Sequence, residues 1–176
     1  MMSRFPNKTP YELRQYFKKL SLDQLIEQNH FYGLHFENLE DQIDKCNQTL
    51  VAESKHRHTL QEQKNNHDLT YDSVVLSEQE FRLSLESLND ITDPSERFLA
   101  RKSIGVSPME VYNQESLCFI TPIHQSDLMI EHLTKSLGDL TKKKSGAISE
   151  LKILNSIIRE KEQLISVPQI VQGYSK

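Results

Sequence analysis

An all-α fold is what this sequence predicts: a helical bundle with coiled-coil-like or long-hairpin segments. Three observations carry that expectation. Helix-start signatures recur along the chain, and apolar residues return in steps of three and four. The third is turn chemistry, because five Gly and six Pro in 176 residues are too few for the tight turns of an all-β fold. The length suits one domain or two helical subdomains. The expected division is an N-terminal helical region over 1–72, with a short coiled-coil-like seam, and a C-terminal helical region over 73–176, with a long amphipathic segment.

The starts come first. Thr9-Pro10-Tyr11-Glu12 places a capping hydroxyl, a proline at the first helical position and a glutamate three residues on. The device recurs at Asp93-Pro94-Ser95-Glu96 and Ser107-Pro108-Met109-Glu110. Ser77-Glu78-Gln79-Glu80 repeats it without the proline, and Thr121-Pro122 without the acid. Each satisfies orphan backbone N–H groups and sets negative charge at the positive helix end.

Between these starts the periodicity assigns faces. A first helix runs from Pro10 to about Leu20 with Leu13, Phe17 and Leu20 together, and Ser21 caps a second. Gly33 marks a bend or a close helix contact. Phe36, Leu39, Ile43, Cys46 and Leu50 form the short seam. Continued in register, that seam becomes Glu53, Arg57, Leu60, Lys64 and His67, so an exposed or frayed extension is expected there. Residues 65–73 read as a connector. Ser77 then opens a helix with Phe81, Leu85 and Leu88 inward; 94–104 forms a short helix with Phe98 and Leu99 inward, ended by Gly105; 108–119 forms another.

The longest pattern lies at the C-terminus. Ile130, Leu133, Leu137, Leu140, Lys144, Ala147, Leu151, Leu154, Ile158, Lys161 and Ile165 make a 3-4 stripe in which nine of eleven positions are apolar. Unbroken, it spans about 54 Å at the helical rise. Gly138 and Ser145-Gly146 weaken its middle, so one long helix and a hairpin turning near Lys142–Gly146 both fit. Pro168 to Lys176 read as an irregular tail.

Charge and apolar content exclude several functions. No run approaches eighteen apolar residues, so no membrane-spanning helix is expected. The start lacks an apolar run of secretory type and the two cysteines, Cys46 and Cys118, make no disulfide framework, so the chain reads as intracellular and cytoplasmic. The net charge is −4. Residues 61–120 hold five basic against eleven acidic groups, which repels a phosphate backbone, whereas the C-terminal third tolerates one.

Chemistry-bearing patterns are sparse. His124, Asp127 and Glu131 share a helical face at i, i+3 and i+7, a spacing open to zinc or manganese. His132-Leu133-Thr134-Lys135-Ser136 resembles the phosphoryl-accepting segment of bacterial phosphorelay domains, with Ser136 where those carry glycine. The resemblance implies phosphoryl transfer at His132. Cys46 and Cys118 sit among apolar residues and read as buried. Nucleophile elbow, phosphate loop, dinucleotide fingerprint and HExxH motif are all missing.

The function expected is therefore a helical protein–protein interaction module, an adaptor, chaperone-like subunit or assembly component, non-catalytic and without cofactor. A protein partner or a second copy is expected to meet Leu140, Leu151, Leu154, Ile158 and Ile165, with Lys142, Lys143 and Lys144 as charge contacts. A nucleic-acid-associated protein using Lys142–Lys144 is the first alternative, disfavoured because no aromatic is interleaved. A phosphoryl-transfer or metal-dependent enzyme using the His124–His132 region is the second.

Overall fold

A computed structural model describes Phe5 and residues 8–166. The chain is all-α and bundle-like, with no β-strand among the described residues. Its helices are α1 (Pro10–Lys18), α2 (Leu22–Asp68), α3 (Tyr71–Ser87), α4 (Pro94–Ile104) and α5 (Pro108–Ser166), with a 3-10 turn at Leu88–Asp90. Two compact units result: unit 1 comprises 1–49 and 133–176, and unit 2 comprises 50–132. This partition differs from a split into 1–72 and 73–176, because α2 and α5 each give one segment to each unit.

Four of the expected starts are built as read. Thr9 and Glu12 form a reciprocal capping box, the Glu12 amide donating to Thr9 Oγ1 at 3.3 Å and the Thr9 amide to Glu12 Oε2 at 2.8 Å. Ser21 and Gln24 do the same at the start of α2. Asp93 accepts from the Ser95 amide, and Ser107 from the Glu110 amide. Gly105, with φ of 82°, ends α4 in a conformation that L side chains rarely adopt.

Two starts and one connector are corrected. Pro122 lies inside α5: its missing N–H costs one bond to the Cys118 carbonyl, while Ile123 and Ser126 beyond it are buried and hold the helix on course. Ser77 lies inside α3, which starts at Tyr71. The connector is only Leu69 and Thr70, because α2 continues to Asp68, braced by Lys64 Nζ on Asp68 Oδ2 at 2.5 Å. The C-terminal stripe is one helix with no hairpin. A helical glycine costs about 1 kcal/mol, which burial of Ala147, Leu154 and Ile157 around Gly146 outweighs. Gly33 lies within α2 with open space around it, so no close helix contact explains it. The expected irregular tail from Pro168 lies outside the described residues.

Unit 1 carries the hydrophobic core. Leu13 and Phe17 of α1, Leu25 and Tyr32 of α2, and Ala147, Leu154, Ile157 and Ile158 of α5 form one buried cluster. Phe5 and Tyr16 pack on Phe17 and on each other in tilted and edge-on arrangements, with ring centroids 5.2–6.0 Å apart. Apolar area removed from water is the main stabilising term here. Tyr32 reaches through this cluster to Glu150, its hydroxyl 2.6 Å from Oε2.

Unit 2 is built differently. Its buried residues, among those described, are Leu88, Ile123 and Ser126. The α2 seam continues past Leu50 with its polar register residues packed rather than frayed. Ser126 Oγ donates to Glu53 Oε1 at 2.5 Å, and Arg57 Nε to Asp127 Oδ1 at 3.0 Å. Farther along, the His67 ring stacks on Tyr112 at 4.3 Å and lies 3.4 Å from Glu115. The seam loses apolar character but not contact, because long charged side chains cover helix surface with their stems.

Candidate interaction surface

The α3–α4 face of unit 2 leaves large apolar side chains exposed. Neither helix contains a buried residue. Leu83, Phe98, Leu99 and Val106 are each about two-thirds exposed. Phe98 and Leu99 were expected inward; α4 instead turns Ala100 and Ile104 toward its neighbours. An eleven-residue helix spans three turns, and its apolar pattern does not say which side is covered.

The elements holding this face are secured by polar staples. After the 3-10 turn, Arg97 folds back and donates from Nε and Nη2 to the Ile91 carbonyl at 3.0 and 2.5 Å. Arg101 Nη1 donates to the Gly105 carbonyl at 3.1 Å. Glu78 of α3 ties α3 to the start of α5: its Oε2 accepts from Ser107 Oγ at 2.6 Å and from the Met109 amide at 3.2 Å, while Oε1 meets Arg82 Nε at 3.2 Å. A carboxylate from one helix thus supplements the cap of another, where the macrodipole favours negative charge.

The Glu78 carboxyl is held below its ordinary value, first by the Ser107 hydroxyl, with the Met109 amide and Arg82 adding to it against partial desolvation. Asp68 is likewise lowered, chiefly by Lys64. A carboxyl lowered in the folded state stabilises the fold above its unfolded pKa, and that contribution is lost as pH falls through the lower folded value. Replacing Glu78 with Gln should therefore lower the melting temperature at pH 7. It should also flatten the loss of stability below the ordinary glutamate value of 4.5. A melting series from pH 3 to pH 7 checks both; parallel curves for wild type and variant would show that Glu78 contributes no ionised staple.

Two open grooves meet at Leu85 and Arg101. One, of about 440 Å³, is bordered by Glu78, Arg82, Arg101, Val106 and Glu110. The other, of about 510 Å³, is lined by Leu85, Leu88, Asn89, Pro94, Arg97, Phe98 and Arg101. The second holds two guanidinium groups and no carboxylate.

The residues singled out from sequence are distributed as follows. Leu154 and Ile158 lie in the unit 1 core, where the chain's own α1 and α2 cover them. Leu140 and Leu151 are half-buried, and Ile165 is exposed. The burial of Leu154 and Ile158 makes the centre of the expected docking stripe internal, since an apolar stripe has the same period whichever chain covers it. Lys144 pairs with Glu40 at 2.8 Å, whereas Lys142 is exposed and Lys143 half-buried.

Asp127 is engaged by Arg57, while His124, Glu131 and His132 are exposed. No group of three or more His, Cys, Asp or Glu among the described residues is arranged to hold a metal. Cys46 is half-buried, its Sγ 3.5 Å from the Leu133 carbonyl. Cys118, expected inside, is exposed on α5 with its Sγ near the Gln114 carbonyl.

Arg97, Arg101 and Glu78 were not recognised from sequence. A signal existed for the arginines: Arg97, Arg101 and Lys102 are three of the five cations in the acid-rich 61–120 segment, gathered within six residues. For Glu78 the spacing to Arg82 was legible but the cap was not, because Ser107 and Met109 lie about thirty residues away. No helix among the described residues is long and apolar enough to cross a membrane. No protein-family description, curated protein or solved structure matches this chain.

Proposed function

We propose that this chain is a helical protein–protein interaction module, an adaptor or assembly component without catalytic activity, and that it docks through the α3–α4 face. The observation that carries the reading is the contrast between the units. Unit 1 buries a cluster of eight apolar side chains; unit 2 buries only Leu88 and Ile123 of its described apolar residues and leaves Leu83, Phe98, Leu99 and Val106 exposed. Exposed apolar groups beside polar ones are what partner surfaces look like before the partner arrives. The non-catalytic part is supported by the sequence, which offers no nucleophile with an orienting base. Both cysteine thiols meet backbone carbonyls rather than a histidine.

Phe98 is the sharpest probe, since it is 69% exposed and its loss leaves no internal cavity. Phe98→Asp should preserve helical content and melting temperature while weakening partner capture or self-association by about tenfold or more, as expected for an aromatic anchor. Affinity recovery and sedimentation, run beside circular dichroism, read both sides. Unchanged partner recovery with unchanged mass would remove this face from consideration.

A further inference from the structure

We propose that the groove between the 3-10 turn and α4 binds a short acidic peptide segment of a partner protein. Its carboxylates would meet Arg97 and Arg101, and an apolar side chain would lie against Leu85, Leu88 and Phe98. This rests on the reading of the α3–α4 face as a docking surface and names the chemistry of what docks.

Charge is the first argument. Unit 2 holds seven basic against fourteen acidic residues. Against that excess, Arg97, Arg101 and Lys102 form no ion pair within 4 Å with any described carboxylate, although Arg57, Lys64 and Arg82 all do. Arg97 and Arg101 stand four residues apart, so they project from one side of the helix, and both line the same groove.

Geometry is the second. The Ile91 and Gly105 carbonyls hold the two guanidinium groups in place, yet a neutral carbonyl leaves their charge uncompensated. Each guanidinium has five N–H donors in a planar fork. Arg97 commits two of its nitrogens and Arg101 one, so donors suited to a carboxylate remain on each. These contacts lower the rotamer entropy that each arginine has left to lose on binding.

Size and polarity supply the third. A groove of about 510 Å³ falls in the range of sites that seat a few side chains. Its apolar members, Leu85, Leu88, Pro94 and Phe98, share the groove with the two arginines and the Asn89 amide. That combination fits a segment carrying both Asp or Glu and Leu or Phe.

The same charges argue against extended polyanions. A bilayer or a nucleic acid presents many charges at once, and over a Debye length of about 8–10 Å it meets the acidic surround as well as the arginines. A short peptide seated in the concavity meets the local cations first.

The test uses the full chain, immobilised, and a displayed library of random twelve-residue peptides. Enriched peptides should combine Asp or Glu with Leu, Phe or Ile. A labelled winner should lose about tenfold or more in affinity against Arg101→Gln, which leaves the Arg97–Ile91 closure intact, and again against Phe98→Ser. Its affinity should also fall as salt rises from 50 to 200 mM. Enriched peptides that lack acidic residues, bind Arg101→Gln as well as wild type and still need Phe98 would overturn the acidic specificity and leave the docking reading standing. Absence of any enrichment would overturn the inference, and so would Arg101-dependent binding to phosphatidylserine vesicles without peptide enrichment. The docking reading would then rest on the Phe98→Asp comparison alone.

Discussion

Leu154→Ala should destabilise unit 1 by about 3 kcal/mol, because the large-to-small change leaves a cavity that a packed core closes only in part. Leu154 is fully buried, and its cluster joins three helices: Phe17 from α1, Leu25 and Tyr32 from α2, and Ala147 and Ile157 from α5. Because α1 is only nine residues long, it depends on this cluster together with the Arg14–Glu160 ion pair to α5. Isolated helices of that length are marginal in water, so weakening the cluster should release α1 first. A loss of this size lowers the melting temperature by roughly 10 °C in a chain of this length. Hydrogen exchange should show lost protection across 10–49 and 133–166 before 50–132. Leu154→Asp should unfold unit 1 outright, since an unpaired carboxylate replaces the buried methyl groups.

The other end of the same stripe supplies the control. Ile165 is 71% exposed, so Ile165→Ala should stay within about 0.5 kcal/mol of wild type. If Leu154→Ala instead melted like wild type while changing sedimentation, Leu154 would face a partner and the packing described above would be wrong.

That contrast shows what periodicity does and does not reveal. The 3-4 spacing from Ile130 to Ile165 correctly implies helix, and the caps at Thr9, Ser21, Asp93 and Ser107 are legible because each uses atoms within a few residues of its own amide. Which neighbour covers the stripe depends on residues more than a hundred positions away, at Leu13, Phe17 and Leu25, and local spacing carries none of that. Local spacing is equally silent on whether a helix continues through Pro122, expected as a start, or through Gly146, where a helix and a hairpin both fit. Gly146 and Pro122 carry local costs of about 1 and 3 kcal/mol, and tertiary contacts at Ala147, Ile123 and Ser126 offset them.

The polar half of the α2 seam is less legible still. Glu53, Arg57 and His67 look like solvent-facing residues in isolation, and each meets a complementary group on α5. The exposure of Phe98 and Leu99 is not legible in the sequence, because the two resemble core residues in composition. What distinguishes them is that unit 2 has no opposing apolar layer for them, a property of the assembled fold.

Tyr32→Phe should cost about 2 kcal/mol, despite removing a single oxygen. Tyr32 is 1% exposed and Glu150 only 6%, and the hydroxyl donates to the carboxylate at 2.6 Å. Hydrogen bonds to charged groups contribute roughly 1.5–3 kcal/mol, and losing a donor to a buried carboxylate exposes its desolvation cost. Glu150 thus occupies a role that its sequence neighbours disguise, since Ile148 and Lys152 set it among residues of an ordinary amphipathic face. Glu150→Gln retains an acceptor oxygen and should cost less than Tyr32→Phe. Replacing both partners, as Tyr32→Phe with Glu150→Leu, should cost clearly less than the two single changes added together, because the penalty of leaving one partner without the other is removed. Urea unfolding of the four proteins in this cycle measures the coupling, expected at about 1–2 kcal/mol. Additive effects would mean that the 2.6 Å contact contributes nothing beyond the packing of the ring, and that the specificity with which α2 pairs with α5 in unit 1 comes from shape alone.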